Sequence, residues 1–203
     1  MKETDGVLVI EDESGVSLIP LMGRTWAPRG QTPVIEHNFN WERLSAIGGI
    51  TLQGKLYFRV HEGSIRKEQV IEYLRQLLRH IRRHHIVLLW DGSAPHRAGA
   101  VTDFLEHNKG RITAFRLPPY CPKFNPVEFL WSHLKWSKMR GFCPRQLYEL
   151  KKKLNACVNN IRRKPGVVRS YFRASHIPIG PGAEEKLAKY CKPDEVRKLC
   201  VYQ

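Results

Sequence analysis

Two short apolar runs constrain this chain more than anything else in it. VLVIED (Val7 to Asp12) and IVLLWD (Ile86 to Asp91) each close on an aspartate. Ile86 to Trp90 is continuous in apolar character, too short for a helix and suited to a strand buried on both faces. The residues allow plainer roles for both acids. Asp91 opens an Asp-Gly-Ser sequence, a common turn. Asp12 stands between Glu11 and Glu13, and strand alternation puts it on the face opposite both, so residue type alone leaves open which of the three would ligate a metal.

Around these runs the chain reads as alternating strands and helices. Val7 to Asp12 and Ser14 to Pro20 meet at a tight link with Gly15, which predicts an antiparallel pair. Trp26 to Pro33 carries two prolines and a glycine and is excluded as a central strand. Ala46–Leu52 and Lys55–Val60 predict a hairpin turning at Gln53-Gly54. Ser64 is a candidate N-cap for a helix with Val70, Ile71, Leu74, Leu77, Leu78 and Ile81 at helical spacing; Arg66, Lys67, Arg75, Arg79 and Arg82 make its other face basic. Arg97 to His107 predicts a short helix and Ile112 to Leu117 a strand. Pro118, Pro119 and Pro122 force an extended connection, and Asn125 and Pro126 restart helix as N-cap and first-turn proline. Val127, Leu130, Trp131 and Leu134 give that helix an apolar stripe, and Trp131 and Trp136 read as core. Leu147 to Ile161 predicts another helix, Arg162 to Gly166 a basic break, and the chain from Ile177 a peripheral tail. The order is that of an α/β protein with helices packed on a mixed sheet.

The balance of charge narrows the partner. Among 203 residues, 34 Lys and Arg against 19 Asp and Glu give +15, a surface that attracts polyanions and binds nucleic acid in a salt-dependent way. The five cysteines are scattered, with no pairing or Cys/His spacing that suits zinc. Free thiols in a reducing compartment are expected. No stretch approaches a membrane span and no signal segment is evident, so the expectation is a cytoplasmic, DNA-associated protein, nuclear if the host is eukaryotic.

A third acid completes a pattern. Glu128 lies in the first turn of the helix that Asn125 and Pro126 start, three positions after Asn125, where a capping-box glutamate would also sit. Two carboxylates at strand ends and one on a helix suit Mg²⁺ or Mn²⁺. A pair of such ions can stabilise the attacking and leaving oxygens of a phosphodiester.

LLWDGSAPHRA and LPPYCPKFNPVEFLWSHLK resemble the second and third catalytic blocks of mariner-superfamily transposases, in particular the bacterial insertion-sequence branch with its DDE superfamily endonuclease domain. EDESGVSLIP followed by TWAPRGQTP resembles the first block. Thirty-six residues separate Asp91 from Glu128, within the family's spacing, and the resemblance runs from about Val7 to Arg140. It implies a ribonuclease-H-like fold: a mixed five-stranded sheet with helices on both faces, first and fourth strands adjacent, plus a helical C-terminal extension. Beyond Gly141 the character of the sequence changes, so a catalytic domain is expected over 1–141 and a helical part and tail over 142–203. The resemblance also implies Asp12, Asp91 and Glu128 as catalytic and metal-binding residues holding two Mg²⁺ (or Mn²⁺) ions.

Further roles follow from the same resemblance. His96 is a candidate to support Asp91 or touch DNA, Asn125 to aim the helix of Glu128, and Lys135 to reach a phosphate. The implied reaction is cleavage at transposon ends, then attack of the freed 3′-hydroxyl on target DNA. DNA is thus the partner, with a homodimer expected on it and no membrane. Family members usually carry helix-turn-helix modules ahead of this domain; here the first strand begins within ten residues of Met1, so that module is expected to be absent. Cys121 replaces a common serine. The rival readings are an inactive DNA-binding remnant of a transposase and another ribonuclease-H-like nuclease.

Overall fold

The computed structural model describes residues 6–37, 40–117, 124–175 and 177. Five strands, β1 (Gly6–Ser17), β2 (Arg43–Thr51), β3 (Leu56–Glu62), β4 (His85–Trp90) and β5 (Ile112–Arg116), form one sheet in the order β3-β2-β1-β4-β5. The β1–β2 and β2–β3 pairs are antiparallel and the β1–β4 and β4–β5 pairs parallel. This is the mixed five-stranded sheet expected, with first and fourth strands adjacent.

Side-chain alternation gives the sheet two apolar faces. Val9, Ile47, Ile86, Leu88 and Ile112 pack with α1 (Lys67–His80) and with Val101 of α2 (Gly99–His107). Ile10, Val16, Leu44, Ala46, Ile50 and Leu89 face α3 (Val127–Ser132), α4 (Leu147–Arg162) and α5 (Pro165–Ala174). Residues beyond Gly141 therefore enter the main core: Leu154, Val158 and Phe172 are buried in it. The Arg162 guanidinium also donates to the Leu56 and Phe58 carbonyls of β3. The β2–β3 hairpin turns at Gly54, whose φ of +87° suits glycine; a Cβ there would also meet the Pro165 carbonyl at 2.6 Å.

Several local expectations are corrected. Val7 to Pro20 is no hairpin: β1 runs unbroken through Gly15, which pairs with Ser45, and its ladder to β2 extends from Val9–Thr51 to Ser17–Arg43. Asp12 is therefore mid-strand. Ser64 does not cap α1; its hydroxyl accepts from Arg43, while the Arg66 amide donates to the Gln69 side chain. The predicted helix from Arg97 is split into a 3-10 turn, Pro95–Arg97, and α2, because Ala98 is extended between them. Helix α3 is counted from Val127, although the Asn125 side chain still accepts the Val127 amide at 3.1 Å. Trp136 is not core but half exposed, whereas Trp131 is buried. The reason is local: at helical spacing Trp136 falls on the side opposite the buried stripe of Val127, Leu130, Trp131 and Leu134. Beyond α3 the chain continues as a π-helix over His133–Lys138. Pro118, Pro119, Cys121 and Pro122 lie outside the described residues, as does the tail beyond Ile177.

Candidate active site

The site opens where two strands stop pairing. β1 and β4 pair from Gly6–His85 to Ile10–Leu89; β4 then ends at Trp90 while β1 continues to Ser17. Extending that register sets Asp12 level with Asp91, which leaves the sheet at the point where the β4 ladder ends. Asp12 shares its face of β1 with Ile10, toward α3, and its Oδ2 accepts from the Trp131 indole N–H at 3.0 Å. Gly48, opposite Asp12 on β2, makes room for that indole: a Cβ there would lie 2.9 Å from its ring.

The third acid arrives from α3. Glu128 is exposed and makes no capping hydrogen bond with its side chain, so the capping-box reading does not hold. Its charge acts on Asp12. Burial, then the Glu128 carboxylate, push the Asp12 carboxyl up to about 7; Asp91 adds to the rise, and the Trp131 hydrogen bond opposes it. Asp12, Asp91 and Glu128 thus stand on β1, at the end of β4 and at the start of α3, with the latter two near enough to act on Asp12 by charge. Carboxylates are the donors that hard divalent cations take. Their crowding favours a cation there.

Asp91 is supported from behind. Its Oδ1 accepts the Ser93 amide at 2.9 Å and lies 2.8 Å from Nδ1 of His96. The His96 hydrogen bond, with that amide, holds the Asp91 carboxyl below the usual carboxylate range. His96 is buried, stacked on Trp90 with ring centroids 4.2 Å apart and planes within 8°. Its Nε2 faces Glu13 at 3.3 Å and Glu11 at 3.6 Å. Burial alone would depress this imidazole; the carboxylates of Asp91, Glu13 and Glu11 outweigh it and raise it to about 10.

The sequence named the three acids and His96; the structure joins His96 to Asp91 by direct contact, while Asp91 and Glu128 act on Asp12 by charge. The sequence left Glu11 and Glu13 open as alternatives to Asp12, and alternation places both on the reverse face of β1. Glu11 is 1% exposed, and burial raises its carboxyl well above the usual range. Glu11, Glu13 and His96 also bring possible ligand atoms within 4.8 Å of one another, a grouping separate from Asp12 and Glu128. The available signal was a charged residue at a core position of a strand. Asn125 is buried and shapes the start of α3; Lys135 is half-buried in the π-helical turn, without an ion pair among the described residues.

Comparison with known proteins agrees with this fold. The fold is similar to that of Mos1 transposase in its paired-end complex with the left transposon end: TM-score 0.63 and 19% identity over 90% of this chain and 55% of that one. A Mos1 paired-end complex with Mg matches at TM-score 0.60 and 18% identity, over 95% of this chain and 54% of the other. The Mos1 strand transfer complex matches at 0.58 and 17%, over 82% and 54%. The chain therefore spans about half the length of these proteins. No curated protein matches. The family model described as DDE superfamily endonuclease matches residues 7–143, a span that takes in the five-stranded sheet, α1 to α3 and the three acids, and this chain belongs to that family.

Proposed function

We propose that this chain is the catalytic part of a transposase, cutting DNA at transposon ends and joining the freed 3′-end to target DNA. What supports the reading is the β1–β4 register, which sets Asp12 level with Asp91, together with the charge of Glu128 on α3 that acts on Asp12. Similar folds are found in Mos1 complexes that contain a transposon end or represent strand transfer.

The residues fit divalent ions, and Mos1 complexes with Mn and with Mg are among the similar structures. Asp12, Asp91 and Glu128 would hold two Mg²⁺ or Mn²⁺ ions, which when bound supply an activated water and balance the charge on the phosphodiester. The chain's own residues do the rest. Trp131 fixes Asp12 by its indole N–H. His96 and the Ser93 amide both engage Oδ1 of Asp91. Asn125 sets the start of α3 and hence the place of Glu128. Lys135, a few residues along the same helix, is assigned to the DNA phosphates. The net charge of +15 supplies non-specific affinity for both DNA partners, and two copies would hold two ends.

Cleavage of supercoiled plasmid in Mg²⁺ or Mn²⁺ tests the reading. Wild type should nick the plasmid, and Asp91→Asn should lose that activity while retarding DNA on a gel as well as wild type or better. Nicking by Asp91→Asn at the wild-type rate would end the triad assignment. A melting temperature unmoved by excess Mn²⁺ would favour a DNA-binding remnant, since an ion held by the native state must stabilise it.

A further inference from the structure

We propose that Glu11 and Glu13, acting through His96, form a buried positioning device that sets which oxygen of Asp91 faces the metal site. The inference rests on Asp12, Asp91 and Glu128 being that site, and it gives work to two carboxylates on the reverse face of β1.

The geometry is that of a strut. At one end, Nδ1 of His96 is 2.8 Å from Asp91 Oδ1 and 3.1 Å from the Asp91 carbonyl. At the other, Nε2 faces Glu13 at 3.3 Å and Glu11 at 3.6 Å. Trp90 lies flat against the ring and removes its freedom to tilt. An imidazole with carboxylates at both nitrogens cannot slide toward one without leaving the other. Because Ser93 and His96 both engage Oδ1, the carboxylate of Asp91 is held with Oδ2 as its remaining donor.

Position in the fold explains the need. The last ladder pair between β1 and β4 is Ile10–Leu89, so no backbone hydrogen bonds tie the strands together where Asp12 and Asp91 must be held in register. Glu11 and Glu13 belong to β1, and His96 follows β4; their contact continues the strand pairing in side chains. Burying Glu11 at 1% exposure is costly for a stable core, and its two oxygens, Glu13 Oε1 and His96 Nε2 make no hydrogen bonds that satisfy ordinary geometry. The group is held by charge and by packing. Removing one partner of such a set leaves the others uncompensated, so the device should fail as a unit.

The experiment is a calorimetric titration of the full chain with Mn²⁺, beside metal-free DNA binding. Glu13→Ala should weaken Mn²⁺ binding about tenfold, the lower end for residues that orient metal ligands, with DNA affinity unchanged. Glu13→Gln, which keeps an oxygen toward the ring, should recover most of the loss. If Glu13→Ala does not fold, His96→Gln is the second variant, with a loss of about 10- to 100-fold expected. Wild-type Mn²⁺ affinity in the folded variant overturns the proposal, as does Glu13→Gln being no better than Glu13→Ala. So does an ion that survives Asp12→Asn with Glu128→Gln and is lost on adding Glu11→Gln, because the cluster would then hold a metal of its own. No Mn²⁺ uptake by wild type would overturn both the triad and the strut; uptake insensitive to Glu13→Ala would overturn the strut alone.

Discussion

Asp12 combines partial burial with two like charges, and the consequence is measurable without substrate. Its carboxyl is raised to about 7, above the ordinary aspartate value near 3.9. Between those values the folded metal-free chain holds a proton that the unfolded chain has released, so this group's contribution to stability falls as pH rises from about 4 to 7. Asp12→Asn removes the penalty. At pH 8 the metal-free variant should melt above wild type, by roughly 1 kcal/mol or a few degrees as for other relieved functional sites. The same variant should gain no stability from Mn²⁺, whereas wild type should gain it and release protons on binding. Thermal melts at pH 5 and pH 8, with and without Mn²⁺, check each part. The alternation that put Asp12 opposite Glu11 and Glu13 was legible in the sequence. What the buried acids on the other side touch was not, because His96 reaches them only through the fold.

Helix α3 presents Glu128 correctly only if it lies close to β2, and a glycine permits that approach. At Gly48 a Cβ would come within 2.9 Å of Trp131 and 3.4 Å of Leu130. Gly48→Ala should therefore shift Trp131, break its hydrogen bond to Asp12 and destabilise the chain by about 1–3 kcal/mol. Urea denaturation would measure that loss, and plasmid nicking should fall with it. Trp131→Phe removes the hydrogen bond with less change in packing and separates the two effects. The sequence located most elements because their apolar periods are strong, as in α1 and β4. It missed the continuity of β1 because Gly15 resembles a turn, while pairing to Ser45 keeps it extended. It read Trp136 as core from its residue type, although at helical spacing that position lies opposite the stripe of Val127, Leu130, Trp131 and Leu134. The first error comes from tertiary pairing overriding a local pattern, the second from weighing residue type over position.

Across the whole molecule, the family match ends at residue 143 but the core does not. Helices α4 and α5 contribute Leu150, Leu154, Val158, Ile161, Val168, Tyr171 and Phe172 to the apolar layer that also buries Ile10 and Leu130. A chain cut after residue 143 should expose that layer and show a broad, weakly cooperative urea transition with dye binding typical of loosened packing. A sharp transition equal to wild type would make the two helices an independent unit. The expected boundary near 141 was drawn from a change in sequence character, which follows the motifs and not the burial. The sheet also sets an order of assembly. β1 to β3 can pair by local hairpin contacts, but Asp91 joins Asp12 only after β4 returns across α1 to pair in parallel, a non-local closure that comes at a higher entropic cost. A chain emerging from synthesis thus carries Asp12 long before Asp91 and Glu128 can reach it, and the proposed metal site stays incomplete until β4 and α3 have docked.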